Sequence, residues 1–425
     1  MNKISLLLIL SLLPVSSYAQ GLTIDECVTR ALQGDPGLSA ARAESESRNG
    51  LYAAAKKDIY PSLSARYGYT YQPDSLATPG IDNYYAYSVI LEQPLYHGKA
   101  LVTAVDMNHL AQVTADHQLS RTRNDLILEV HTAFYNLLKA GELENEAALS
   151  LKRLESHLKD AKAFHEVGLI PKNDLLLSEL ELAQGEQNLL LARSRTSLAR
   201  STLNLLMRQP VDFALEIQGS LDYQPYRASW QETVERLKTN RPELAEADTS
   251  ARMAELKVIL EKAPYLPSLD LNASYTRQGD DPAASDYPPG SEEVKQAQII
   301  ASWNFWSWGQ QKDKTASAML QAEKARSGKE KLLDHLVLQA RDAFLNIQLA
   351  EENIRVTRKA IEQAEENFRI NTARYQAQLG TSTELLDSET LLTRARTNNF
   401  NALFDFQIAL VRLKWSEGTI GRKED

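Results

Sequence analysis

The sequence predicts a mainly α chain of mixed class, in which a helix–β-hairpin–long-helix unit occurs twice. Three observations carry that expectation: an internal repeat, four short alternating segments, and two long heptad runs. The repeat is visible at a shift of 206 positions, which pairs Pro61-Ser62-Leu63 with Pro267-Ser268-Leu269. The same shift pairs Thr23 with Ser229, Glu26 with Glu232 and Pro36 with Pro242. Further on the shift is 210, pairing Ala133-Phe134 with Ala343-Phe344 and Ser178-Glu179 with Ser388-Glu389. The second copy therefore holds four extra residues between Tyr275 and Ala343, where its loop is longer.

The elements follow in order. Residues 1–19 read as a secretory leader: Lys3, an apolar run from Ile4 to Leu13, and Ser17-Tyr18-Ala19 before Gln20. The apolar run is about half the ~20 residues of a spanning helix. The first repeat occupies 20–208. Glu26 to Lys57 forms one helical stretch, stopped by Pro61. Strands follow at about 62–72 and 84–95, around a Pro- and Gly-rich loop from Pro73 to Asn83. A long helix runs from about 98 to 166, and a returning helix from about 173 to 207. Residues 209–228 join the copies and are placed as a belt outside the helices. The second repeat, 229–425, has strands at about 268–278 and 294–306. Its loop holds Asp280-Asp281-Pro282 and Pro288-Pro289-Gly290; its long helix covers about 309–376, its returning helix about 383–415.

The strands alternate. Leu63, Ala65, Tyr67, Tyr69 and Tyr71 share one face, Ser62, Ser64, Arg66, Gly68 and Thr70 the other. Each strand is about ten residues, the length that crosses a bilayer when tilted. An apolar face with aromatic ends opposite a small or polar face suits a membrane barrel. It equally suits a soluble two-hairpin sheet with one buried face.

In the first long helix Leu119, Leu126, Ala133, Ala140, Ala147, Leu154 and Ala161 recur every seven residues. Val130, Leu137, Leu151 and Leu158 fill the complementary position, with Glu144 as the polar exception. The copy carries Leu336, Ala343, Ala350 and Ala364 with Ala340, Ile347, Ile354, Ile361 and Phe368. Such runs are coiled-coil seams, and helices of this length extend ~100 Å at 1.5 Å per residue. Each long helix ends in a tight turn, Val167-Gly168-Leu169-Ile170-Pro171 and Gln378-Leu379-Gly380-Thr381.

Composition excludes several classes. A net charge of −9, or −10 without Lys3, disfavours nucleic acid as a partner. Cys27 is the single cysteine, so no intrachain disulfide forms. Six of seven histidines lie between His97 and His165, but His109/His117 and His157/His165 are eight apart, too far for a helical metal pair. These read as solvated helix histidines, and no catalytic residue, metal ligand or cofactor is expected.

Four strands cannot close a membrane barrel, which needs at least about eight, so neighbouring copies must complete it. Here the chain resembles the TolC family of outer-membrane efflux proteins. The resemblance rests on the tandem repeat, Tyr60-Pro61-Ser62-Leu63, Gln93-Pro94-Leu95-Tyr96-His97-Gly98, Trp303-Asn304-Phe305-Trp306 and the two tips. It implies a homotrimer with a 12-stranded barrel in outer-membrane lipid, continuous with a long periplasmic α-helical barrel. Such a protein is a passive exit duct in a tripartite efflux or type I secretion system, docked to a periplasmic adaptor and an inner-membrane transporter. The competing class is a soluble periplasmic coiled-coil scaffold.

The resemblance also implies site residues. Val167, Gly168, Leu169, Leu379 and Gly380 match the adaptor-docking tips, although Gly at a helix end is also plain turn chemistry. Glu384 and Asp387 match an acidic pair that narrows the entrance. At i, i+3 they share a helix face, and threefold repetition would stack anionic rings that select cations. A solvated charged face is the plainer reading. Asp174 is the first-copy counterpart of Glu384, with Leu177 in place of Asp387. Gln378 stands where many members have glycine, and Gly380 where some have a basic latch residue.

Overall fold

A computed structural model describes residues 21–71, 83–221, 223–285 and 293–421. The leader at 1–19, most of the 73–83 loop and Pro288-Pro289-Gly290 lie outside these residues. The expected single helix over 26–57 is two: α1 (Ile24–Gly34) and α2 (Pro36–Ala55). Proline has no N–H and pushes its predecessor out of the helical region, and Asp35 sits at φ −71, ψ 124. The second copy breaks identically between α5 (Trp230–Asn240) and α6 (Pro242–Lys262). Each pair opens with a capping box: Thr23 N–H donates to Glu26 at 2.8 Å, and Ser229 N–H to Glu232 at 3.1 Å.

Strands β1 (Ser62–Tyr71), β2 (Asn83–His97), β3 (Ser268–Gly279) and β4 (Glu293–Ser302) form one antiparallel sheet in the order β1-β2-β3-β4. Register aligns one apolar row across all four, Leu63 with Leu91, Leu91 with Ala273, and Ala273 with Ala297. β4 ends at Ser302, so Trp303 and Phe305 follow the strand instead of closing it. Both outer edges, β1 and β4, lack a strand partner among the described residues.

The long helices are α3 (Ala100–Glu166) and α7 (Gln310–Gln376), and the returning helices α4 (Lys172–Leu206) and α8 (Ser382–Ser416). Both long helices leave the sheet through two successive residues at positive φ, Gly98-Lys99 and Trp308-Gly309. At Gly98 a Cβ would meet the Ala263 carbonyl oxygen at 2.4 Å, so only glycine fits. Among the described residues, no helix is long and apolar enough to cross a membrane.

Two compact units divide the chain across the repeats. The first gathers the described residues through Asp35, then Leu126–Arg227 and Ala343–Leu413. Its α3 face buries Val130, Phe134 and Leu137 against Cys27, Ala31 and Leu203. Burial pushes the Cys27 thiol up to about 11, which keeps it protonated and inert. The α7 face of this unit buries Ile347 and Ile354 against Phe406 and Leu413. The second unit takes Pro36–Asp125, Ala228–Asp342 and the residues from Lys414 on. There Leu237 packs on Leu336 and Ala340. Arg241, buried, stacks 4.0 Å from the Trp415 ring, whose Nε1–H donates to Asp125 at 2.8 Å.

Candidate functional site

Both helix tips belong to the first unit, and their turns are built alike. α3 ends with Gly168 at φ 78; Gly168 N–H donates to His165 O at 2.9 Å and Leu169 N–H to Phe164 O at 2.8 Å. α7 ends with Gln378 at φ 56, and the bonds recur: Gln378 N–H to Tyr375 O at 2.9 Å, Leu379 N–H to Arg374 O at 2.8 Å. Gln378 thus occupies the left-handed position that glycine fills in the first copy, at about 1 kcal/mol of strain. Val167, Leu169 and Leu379 are exposed at the turn apices, Leu379 at 73%. A Cβ on Gly380 would lie 3.1 Å from a Glu384 carboxylate oxygen, so glycine there makes room for Glu384.

Glu384 turns back on its own turn. Its carboxylate accepts from Thr381 N–H at 3.1 Å while Glu384 N–H donates to Thr381 Oγ1 at 3.2 Å, a capping box for α8. Arg374 stands 3.7 Å from the same carboxylate. Asp387 is exposed one turn on and makes no ion pair among the described residues. Asp174 is half-buried in the first turn of α4, and its carbonyl accepts from Ser178 Oγ at 2.8 Å. Serines bridge the helices that carry the first-copy and second-copy carboxylates, Ser178 Oγ to Ser382 Oγ at 3.4 Å.

Two polar clusters inside this unit escaped the sequence reading. His157 on α3 is not solvated but 6% exposed, between Ser178 of α4, Tyr375 of α7 and Ser382 of α8. Its place three residues after Leu154 and four before Ala161 puts it beside the seam, a spacing that could have flagged it. Farther along, Arg153 bridges two buried carboxylates at 2.7 Å each, Glu146 through Nη2 and Glu389 of α8 through Nε. Burial opposes the Arg153 charge, but the Glu389 and Glu146 hydrogen bonds outweigh it and raise its pKa. Arg396 extends the chain to Glu365 of α7 at 2.8 Å. Nearby, Gly185 lets α4 approach α3 closely, since a Cβ would lie 2.8 Å from Leu154 Cδ1.

A groove of about 720 Å³ lies elsewhere, in the second unit. Its charges pair with each other, Arg326 with Glu255 and both Lys329 and Arg252 with Asp248. No group of three or more His, Cys, Asp or Glu among the described residues is placed to hold a metal ion.

The chain matches the outer membrane efflux protein family over residues 27–207 and 233–419, and it belongs to that family. It is 22% identical to outer membrane protein TolC of Escherichia coli (strain K12), over 100% of this chain and 88% of that protein. Against TolC of Vibrio cholerae the identity is 20%, over 96% and 94%. Its fold matches the Campylobacter jejuni CmeC outer membrane channel with a TM-score of 0.83 at 13% identity, covering 95% and 87% of the two chains. For the open state of the Neisseria gonorrhoeae MtrE outer membrane channel the TM-score is 0.81 at 17% identity, covering 95% and 91%. The solved structures establish the fold, and the family match establishes an efflux duct located in the outer membrane. The family is one of channels rather than enzymes, and the soluble scaffold is not favoured.

Proposed function

We propose that three copies of this chain make one duct, which an adaptor joins at the tips to an inner-membrane pump that supplies the energy. The observation that carries the oligomer is the four-stranded sheet with two bare edges, β1 and β4. Open edges cannot face lipid, because each unpaired backbone group there costs several kcal/mol. Neighbouring copies supply the missing partners. Exposed leucines support the same contact along the helices, Leu180, Leu190 and Leu198 on α4 and Leu345 and Leu349 on α7.

In this reading Val167, Gly168, Leu169, Leu379 and Gly380 form the docking apices. With Cys27 changed to serine, a cysteine at Leu169 is expected to crosslink to the adaptor in cells. A conducting channel that captures no adaptor there would remove the docking role.

Glu384, Asp387 and Asp174 line a cation-selective entrance in the same reading. Reconstituted in planar bilayers, the protein is expected to pass small cation-selective currents, reduced in selectivity by Glu384→Ala with Asp387→Ala. Asp387→Ala alone takes the larger share, because Arg374 offsets the Glu384 charge. Unchanged reversal potentials in the double variant would withdraw the constriction. Drug, metal-ion and polypeptide cargo share one conduit, and selection among them rests with the pump.

A further inference from the structure

His157 lies where α3, α4, α7 and α8 meet in the first unit, and its hydrogen bonds fix its protonation. Ser178 Oγ gives its proton to the Asp174 carbonyl at 2.8 Å, so toward His157 Nε2 at 3.1 Å it can only accept. Nε2 therefore carries the ring hydrogen, shared with Ser382 Oγ at 2.9 Å. Nδ1 is left bare, buried and without a hydrogen-bond partner among the described residues. A second proton would have to sit there, where no acceptor waits.

The surroundings do not compensate. On α3, Asp160 favours a charged ring, but burial outweighs it and holds the imidazole below its usual range. On α7, the Tyr375 ring lies 4.9 Å away, its phenol pushed up mainly by burial, with Asp160 and Asp174 of α4 adding to the rise. α8 offers the Ser382 hydroxyl; its nearest carboxylate in sequence, Glu384, is engaged by Thr381 and Arg374.

We infer that His157 is a proton-sensitive staple: neutral, it pins α4 and α8 to α3, and protonated at acid pH it releases them and widens the entrance. This rests on the duct reading above. Any movement that parts α8 from α3 wets the ring and restores an ordinary pKa of about 6.5. Above that pH neither state binds the proton, and the packed tip has its full stability. Below it the loosened state binds the proton first, so the packed tip loses stability as pH falls. From pH 7.5 to 5.5 the shift is at most about tenfold per protomer.

The test acidifies only the tip side of a planar bilayer holding the intact oligomer. Wild-type open probability is expected to rise toward pH 5.5, while His157→Gln, which keeps an N–H for the serines but cannot titrate, stays flat. An equal pH response in both chains overturns the staple and leaves the duct standing. No conductance from either chain at any pH overturns both. Independently of any variant, histidine C2–H exchange read by mass spectrometry on the wild-type protein should place His157 below about 6.5. Titration at or above that value overturns the inference.

Discussion

Arg153→Met is expected to lower the stability of the first unit by about 3 kcal/mol, because it leaves buried Glu389 without a cation and Glu146 with Arg396 alone. Glu146 is 4% exposed and Glu389 5%, and Arg153 is the cation that reaches both at 2.7 Å. Methionine keeps much of the volume, so the loss reports charge rather than a cavity. Arg396, at 3.3 Å from Glu146, answers only one of the two. The deficit is read at pH 7. Adding Glu146→Gln and Glu389→Gln should recover more than half of it. Thermal unfolding of the oligomer in detergent measures each step. A variant as stable as the parent at pH 7 would mean that the carboxylates reach water and the network is not buried in the assembly.

Ile299→Lys is the second large effect, and its size depends on the assembly. Ile299 is 65% exposed on β4, opposite Leu271. For a single chain in water a lysine there changes stability by less than about 0.5 kcal/mol. Against lipid near the midplane it costs about 2–4 kcal/mol, once per copy. The heat-modifiable oligomer in the outer-membrane fraction should therefore be lost. Gln298→Lys, one residue away on the opposite face, should leave it intact. Equal tolerance of both lysines would remove lipid from that face.

The mainly α, duplicated fold was legible because seams and alternation are periodic, and periodicity needs no knowledge of partners. Val130, Leu137, Leu154 and Leu158, read from heptad spacing alone, are buried. Contacts between elements were not legible. The polar exception expected in the seam was Glu144, yet the carboxylate buried there is Glu146, which meets an arginine seven residues away and another on α8. Likewise His157 looked solvated because its serine partners lie on other helices, Ser382 some 225 residues on. At the tips, Gly168 announced its left-handed turn, while Gln378 hid the same geometry behind a residue that rarely adopts it. The break at Pro36 was readable in principle and was overridden by the alanine-rich run around it.

The compact units cut across the duplication, and that governs how the polypeptide matures after export. Each apolar cluster lies within one half of the sequence, but the polar contacts that join the halves do not. The first unit joins its halves through Arg153 with Glu389 and His157 with Ser382, and the second secures Trp415 against Asp125. A translocating chain can close the cluster around Cys27 early but cannot make the joining contacts until α8 emerges.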